Sequence, residues 1–183
     1  MPVDPSAIRT WANAVTVGRL LISPLMFAII PADNVGSWVA TGLWFLLSLS
    51  DLVDGQLARK HGTTRSGAFL DPLADKVCVL GAMFILVSRG MFNPWLVGLI
   101  ATREIAISLY RVFAGAKGVS VPASKAAKFK TFAQQVAVGF AVLPWSAADY
   151  NYLAKGSLGI ATVLTLYSGL QYGAVAFKAR KQA

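Results

Sequence analysis

The sequence predicts an all-α integral membrane protein with six transmembrane helices, and three observations support this fold class. Apolar residues make up 56% of the 183 residues and charged residues only 14%, unlike an ordinary soluble domain. The mean hydropathy is +0.59. Apolar runs of about 20 residues, the length that crosses a bilayer, recur along the chain between short segments rich in helix breakers.

Six such runs follow one another in order. They cover about residues 13–30, 38–58, 67–87, 95–112, 129–145 and 153–177. The first run is too long for the hydrophobic region of a cleaved signal peptide, so we expect it to be a retained span. The loops leave no room for a separate soluble domain. We therefore expect one membrane domain over 1–183, with a juxtamembrane segment at 1–12 and a six-helix core at 13–178.

Lysine and arginine are distributed unevenly between the loops on the two sides of such a bundle. The side that holds both termini carries twelve of them, whereas the opposite side carries only Arg89 and Lys155. Because cytoplasmic loops carry the excess of Lys and Arg, both termini are predicted to be cytoplasmic, in a multi-pass protein of the inner membrane. The twelve are Arg9, Arg59, Lys60, Arg65, Arg111, Lys117, Lys125, Lys128, Lys130, Lys178, Arg180 and Lys181.

The formal net charge of +9 does not indicate a nucleic-acid-binding protein, because such a protein would not carry these long apolar runs. The cations are instead expected to flank the spans or to meet phosphate groups at the bilayer surface. The single cysteine, Cys78, excludes an internal disulfide.

Four of the eight acidic residues lie between positions 51 and 75, at the ends of two predicted spans. Asp51 and Asp54 are spaced i, i+3, and Asp71 and Asp75 are spaced i, i+4, so each pair shares one helical face. The predicted topology makes the two pairs face each other across a hairpin at the cytoplasmic side. A charge at membrane depth costs roughly 2.5–3.5 kcal/mol, so four carboxylates need positive partners.

Two explanations of these carboxylates assign them different roles, metal binding or structural ion pairing. Four converging oxygen donors suit Mg²⁺, Mn²⁺ or Ca²⁺, and two such ions can clamp a phosphoryl group. Alternatively, the aspartates form buried salt bridges with the cations inside spans, Lys76, Arg19 and Arg103. These cations are few and dispersed, which favours the metal site.

The residues that carry this pattern resemble the signature of the CDP-alcohol phosphatidyltransferases, integral membrane enzymes of phospholipid synthesis. The matching positions are Asp51, Asp54, Gly55, Ala58, Arg59, Gly67, Asp71 and Asp75, with seven residues after Arg59 where many members have eight. The resemblance implies six transmembrane helices, a homodimer and a site for two Mg²⁺ or Mn²⁺ ions at the cytoplasmic surface. It assigns the four aspartates as metal ligands and Asp75 also as general base.

The same resemblance implies a reaction and a lipid substrate. An acceptor hydroxyl attacks the β-phosphorus of CDP-diacylglycerol and CMP leaves. The residues implied to contact the CDP-lipid are Gly55, Ala58, Arg59, Thr64 and Gly67. Asn13 and Thr16 on the first span also resemble this family, but polar residues that only pack helices together would look similar.

The acceptor is suggested by a second group of residues. Arg103-Glu104 through Arg111, followed by Ser124 through Gln134, is similar to the family members that use sn-glycerol 3-phosphate, the phosphatidylglycerophosphate synthases; Ala127 departs from their usual glycine. Cations near the cytoplasmic ends of spans four and five suit a phosphorylated acceptor. The predicted acceptor-phosphate ligands are Arg103, Arg111, Ser124, Lys125, Lys128 and Lys130.

Other functions remain open from sequence. The same chemistry with phosphatidylglycerol would be that of a cardiolipin synthase, and inositol phosphate is a third acceptor. The cations also fit a second explanation, in which they only hold topology and anionic lipid. Glu104, which is next to Arg103, is interpreted as its counter-ion. A divalent-cation transporter would also place aspartates in the membrane, but it would spread them through its depth.

Overall fold

The computed structural model describes residues 11–32, 35–61, 65–116 and 125–181, with side chains over 14–32, 35–50, 73–114 and 129–174. Over these ranges the only regular secondary structure is helix, joined by short turns and irregular segments. The helices are α1 (Trp11–Ala28), α2 (Trp38–His61), α3 (Arg65–Ser88), α4 (Pro94–Ala116), α5 (Lys125–Val142), α6 (Pro144–Asp149) and α7 (Asn151–Lys181). The predicted all-α class is confirmed, and each of the six predicted runs overlaps a long helix.

The boundary of the fifth run was predicted incorrectly. The apolar run continues to Trp145, but α5 ends at Val142 and Trp145 belongs to the short helix α6. Pro144 explains the break, because a proline has no N–H for the helical ladder and its ring displaces the preceding turn. The free carbonyl of Val142 instead accepts hydrogen bonds from Ser37 N at 2.9 Å and Thr41 Oγ1 at 3.0 Å. The end of α5 is thereby tied to the start of α2.

Helix α5 lies near the middle of the bundle. It packs most extensively against α7, and it also contacts α2 and α3. Helix α1 packs on α2 and α3, and α4 packs on α7 and α3. The core contains small residues that let helices approach closely, for example Ala137 and Ala141 of α5 and Ala161 of α7, all fully buried. Helix α7 therefore lies against both α4 and α5.

The bundle buries polar side chains and exposes apolar ones. Large apolar residues such as Leu21, Phe45 and Leu170 are 74%, 68% and 75% exposed. The fully or nearly fully buried polar residues include Thr16, Arg19, Ser23, Glu104, Lys130, Gln134, Thr162, Thr165 and Ser168. Soluble monomers rarely expose apolar surface on this scale. The exterior therefore suits an apolar surrounding.

One segment among the described residues, Asn151–Ala174 of α7, is long and apolar enough to cross a membrane by length and composition. Shorter apolar helical segments cover Ala14–Ala28 and Trp38–Ser50. Helix α4 is continuous, but its apolar sequence is interrupted by the charged residues Arg103, Glu104 and Arg111. The chain therefore carries one clear candidate span in its described part.

Candidate functional site: a buried basic cluster between α4, α5 and α7

Two buried cations share one carboxylate oxygen at the centre of the bundle. Glu104 Oε1 accepts a hydrogen bond from Arg103 Nη1 at 3.1 Å and another from Lys130 Nζ. The side chains of Arg103, Glu104 and Lys130 are only 9%, 7% and 6% exposed. The two ion pairs therefore join α4 to α5 with little exposed surface. Glu104 is a counter-ion of Arg103, as the sequence suggested, but it also serves Lys130.

Helix α7 holds the other side of the Arg103 guanidinium. Ser168 Oγ accepts a hydrogen bond from Arg103 Nη2 at 2.9 Å and donates one to Thr165 O at 3.0 Å. The ring of Tyr172 lies 5.6 Å from the guanidinium carbon, within the range of a cation–π contact. We call Arg103, Glu104, Lys130, Ser168 and Tyr172 the basic cluster.

The local sequence of α7 explains how Arg103 fits. Thr165, Ser168, Gly169 and Tyr172 are spaced i, i+3, i+4 and i+7, so they share one face of the helix. Gly169 leaves room where the arginine side chain crosses: a Cβ there would lie 3.3 Å from Arg103 Cγ. A small residue at this position lets α4 and α7 approach closely.

A second hydrogen-bonded layer connects α5 to α7 beside the cluster. Gln134 lies one turn beyond Lys130 on α5, and its Nε2 donates to Thr165 Oγ1 at 3.1 Å. Thr165 Oγ1 donates in turn to Ala161 O at 2.6 Å. These buried polar groups are paired with each other, which is the condition for stability in a low-dielectric interior. The layer fixes the rotation of α5 and so the position of Lys130.

The cluster carries more positive than negative charge. Arg103 and Lys130 bring two cationic side chains against the single carboxylate of Glu104. Arg103 Nε is buried and has no hydrogen-bond partner among the described residues. A net positive, donor-rich interior can bind an anionic group such as a phosphate.

The predicted catalytic residue, Asp75, lies on α3 with a half-buried side chain, next to Lys76. The side chains of Asp51, Asp54 and Asp71 lie outside the described residues. The helices that carry all four aspartates, α2 and α3, form as predicted, so the i, i+3 and i, i+4 spacings are helical. No three His, Cys, Asp or Glu side chains come together in the part whose side chains are described, which includes only Asp75 of the four.

The predicted lipid-contacting residues are mostly beyond the described side chains. Thr16 is the exception: it is fully buried on α1, on the face that also buries Arg19 and Ser23, and Ser23 Oγ donates to Arg19 O at 2.7 Å. This burial agrees with a helix-packing role for Thr16 and leaves its contact with the lipid a prediction. The residues outside the described side chains are Asn13, Gly55, Ala58, Arg59, Thr64 and Gly67.

Of the six predicted acceptor ligands, the structure brings Arg103 and Lys130 together. Arg111 is exposed and lies eight residues farther along α4, roughly 12 Å along the helix axis. It is therefore outside the basic cluster. Ser124, Lys125 and Lys128 lie outside the described side chains.

Sequence reasoning missed the contribution of α7. Ser168, Gly169 and Tyr172 fall in the sixth apolar run and match no part of the signature. A signal was present in their spacing, because small and polar residues repeat on one face of an otherwise apolar helix. The partner of that face could not be read from the sequence, since Arg103 and Ser168 are 65 residues apart.

Comparison with known proteins identifies the family of this chain. A sequence model of the CDP-alcohol phosphatidyltransferase family matches residues 9–168, most of the chain. The chain is 35% identical over 176 residues to a protein of Mycobacterium tuberculosis named "Probable phosphatidylglycerophosphate synthase", a match that covers 93% of this chain and 83% of that protein.

Two further relatives carry a more explicit name, CDP-diacylglycerol–glycerol-3-phosphate 3-phosphatidyltransferase. The Bacillus subtilis protein is 32% identical over 177 residues, covering 87% of this chain and 91% of its own length. The Rickettsia typhi protein is 32% identical over 179 residues, covering 95% and 98%. The chain therefore belongs to the CDP-alcohol phosphatidyltransferase family, and the family resemblance of its aspartate signature is confirmed.

Proposed function

We propose that this chain transfers the phosphatidyl group of CDP-diacylglycerol to sn-glycerol 3-phosphate, giving phosphatidylglycerophosphate and CMP. The observation that carries the choice of acceptor is the buried pair Arg103 and Lys130, with more positive charge than Glu104 can offset. A phosphorylated acceptor brings the missing negative charge to such a site. The names of the relatives support the same acceptor.

The four aspartates are proposed to hold two divalent ions. Asp51 and Asp54 on α2 and Asp71 and Asp75 on α3 offer carboxylate oxygens only, and Mg²⁺ and Mn²⁺ prefer such ligands. This donor set therefore fits the ions that the family resemblance implies. When bound, the ions supply positive charge that offsets negative charge on the diphosphate.

In the proposed reaction, Asp75 takes the proton of the acceptor hydroxyl. The hydroxyl oxygen forms a bond to the β-phosphorus of CDP-diacylglycerol, while the bond from that phosphorus to the oxygen retained by CMP breaks. Gly55, Ala58, Arg59, Thr64, Gly67, Asn13 and Thr16 are proposed to contact the CDP-lipid. Arg59 can hold a phosphate oxygen pair in a fork geometry.

Arg103 and Lys130 are proposed to hold the acceptor phosphate. Four more residues, Arg111, Ser124, Lys125 and Lys128, are proposed to extend this binding site toward the cytoplasm. Arg111 is proposed to lie at the cytoplasmic entrance of this binding site. It is exposed and lies about two turns from the cluster, toward the C-terminal end of α4. Exposed cations at an entrance attract anionic substrates from solution.

The bundle is proposed to be a single membrane domain with six spans, both termini and the active site facing the cytoplasm of the inner membrane. The exposed apolar exterior supports membrane insertion. Exposed Trp38, Trp95 and Trp145 lie at the starts of α2, α4 and α6, where the proposed topology places the outer interface. Tryptophan is enriched at such interfaces. A homodimer is part of the proposal and is tested by cross-linking in membranes.

An acceptor panel tests the function. The purified protein in mixed micelles with CDP-diacylglycerol and Mg²⁺ or Mn²⁺ is offered radiolabelled glycerol 3-phosphate, inositol phosphate or phosphatidylglycerol. We expect CMP release with glycerol 3-phosphate and a labelled lipid with the mobility of phosphatidylglycerophosphate. Release only with phosphatidylglycerol would assign the cardiolipin synthase reaction instead. No CMP release with any acceptor would remove the transferase proposal.

A further inference from the structure

We propose that Glu104 is a positioning residue that holds Arg103 and Lys130 together as a preformed binding pair for the acceptor phosphate, with Ser168 and Tyr172 fixing the rotation of the guanidinium. The inference rests on the proposed function, because it assigns the pair to the acceptor. It adds a negatively charged residue, and two residues of α7, to a site otherwise expected to contain cations.

The geometry of the shared oxygen supports this role. Arg103 Nη1 and Lys130 Nζ both donate to the same atom, Glu104 Oε1. Two buried cations repel each other strongly at low dielectric, and one carboxylate between them offsets that repulsion. Without the carboxylate, Lys130 would lie near Arg103 with no negative partner within the basic cluster. The two side chains would then separate.

Arg103 is oriented from three directions. Its Nη1 bonds to Glu104 and its Nη2 to Ser168, while Tyr172 lies 5.6 Å from its charged carbon. Nε is the guanidinium nitrogen that makes no hydrogen bond among the described residues, and Nη1 and Nη2 each carry a second N–H. A guanidinium held in this way loses little further conformational entropy when it binds an anion, which is the advantage of preorganisation.

Two features favour positioning over competition between Glu104 and the phosphate. First, the cluster holds two cationic side chains, Arg103 and Lys130, against the single carboxylate of Glu104. Second, Arg103 also bonds to Ser168 and contacts Tyr172, so Glu104 is not the only group that orients it. The carboxylate therefore sets the separation of the cations and offsets only part of their positive charge.

Steady-state kinetics of the Glu104→Gln variant test the role. The amide keeps the shape of the side chain and removes its charge. We expect KM for glycerol 3-phosphate to rise about 10- to 100-fold, the range expected for loss of a charge-assisted hydrogen bond, with KM for CDP-diacylglycerol within about twofold of wild type. Glu104→Asp, which restores the charge, should recover most of the acceptor affinity.

Matched variants separate positioning from general destabilisation. Ser168→Ala removes one buried α7 hydroxyl that contacts Arg103, and we expect KM for the acceptor to rise by about 3- to 10-fold. Thr162→Ala removes another buried α7 hydroxyl, whose bond is to Leu158 O, and should leave both KM values unchanged. Asp149→Asn removes an exposed carboxylate and should also have no effect.

Three results would overturn the inference while leaving the proposed function standing. An unchanged acceptor KM in both Glu104→Gln and Ser168→Ala would show that the pair is not organised by these residues. A lower acceptor KM in Glu104→Gln would show competition with the phosphate. Parallel loss of kcat and of affinity for both substrates would show a purely structural role. If Glu104→Gln does not fold, the inference is tested by the acceptor KM of Ser168→Ala compared with that of Thr162→Ala. Equal values in these two variants would overturn it. Wild-type protein inactive with glycerol 3-phosphate would refute the proposed function itself.

Discussion

A methyl group added at Gly169 would press directly on Arg103, and this perturbation can be compared with the same change one turn later. In the Gly169→Ala variant, the new Cβ would lie 3.3 Å from Arg103 Cγ and 3.5 Å from Arg103 Nε. Ordinary carbon–carbon contacts are about 3.5–4.0 Å. The arginine must therefore move by a few tenths of an ångström. At Gly173, a Cβ would meet nothing within 4 Å.

The two variants are expected to change the stability of the protein by different amounts. Each alanine gains about 0.8–1 kcal/mol of helix propensity over glycine in the interior of α7. Overpacking at Gly169 costs roughly 1–3 kcal/mol, so Gly169→Ala is expected to be neutral or destabilised by up to about 2 kcal/mol. Gly173→Ala is expected to be stabilised by up to about 1 kcal/mol. The separation between the variants is then about 1–3 kcal/mol.

Thermal unfolding in detergent and acceptor kinetics measure the two consequences. At about 2–4 °C per kcal/mol, Gly169→Ala should unfold roughly 2–12 °C below Gly173→Ala. A shift of Arg103 would weaken its 2.9 Å hydrogen bond to Ser168 Oγ. We therefore also expect a higher KM for the acceptor in Gly169→Ala but not in Gly173→Ala. Equal gains in Tm with unchanged KM in both variants would refute the packing of Arg103 against α7.

Three other changes have definite expected outcomes. Gly36→Ala should unfold at least about 2 °C below Gly90→Ala in the same thermal assay: both glycines have positive φ, but only a Cβ at Gly36 meets backbone, at 2.7 Å from Val142 O, which adds roughly 1–3 kcal/mol of overpacking. Equal Tm values would refute that contact. Asp75→Asn should abolish CMP release while isothermal titration still detects CDP-diacylglycerol binding, because the amide cannot take the acceptor proton; near-normal turnover would remove Asp75 as the base. Treatment with EDTA should abolish turnover, and added Mg²⁺ or Mn²⁺ should restore it; full activity in the chelator would exclude the metal-dependent reaction.

Much of the helical architecture could be predicted from local sequence. Apolar runs and breakers placed six long helices to within a few residues, because hydrophobic length and proline or glycine positions act locally. The end of α5 is one of the boundaries that differ, and its physical cause is clear. There the apolar character continues past Pro144, but the chain geometry of proline breaks the helix. Composition gave no sign of this boundary, whereas the proline itself did.

Part of the active site could be predicted from local sequence, and part depends on how the helices pack. Its aspartates follow a spacing that any helix converts into shared faces, so the pattern and the family could be recognised from the sequence. The structure shows that α2 and α3 are helical where these residues lie. The convergence of the two pairs remains a prediction. The choice among six candidate acceptor ligands depends instead on contacts between distant helices, which no local pattern contains.

The sequence by itself determined the helical class, the aspartate signature and the membership of the CDP-alcohol phosphatidyltransferase family. Only the tertiary structure decided that Arg103 and Lys130 share the oxygen of Glu104, and that Ser168 and Tyr172 hold the guanidinium. The physical reason is that helix formation and signature spacing depend on near neighbours along the chain. The basic cluster depends on how α4, α5 and α7 pack, which joins residues 26 and 65 positions apart.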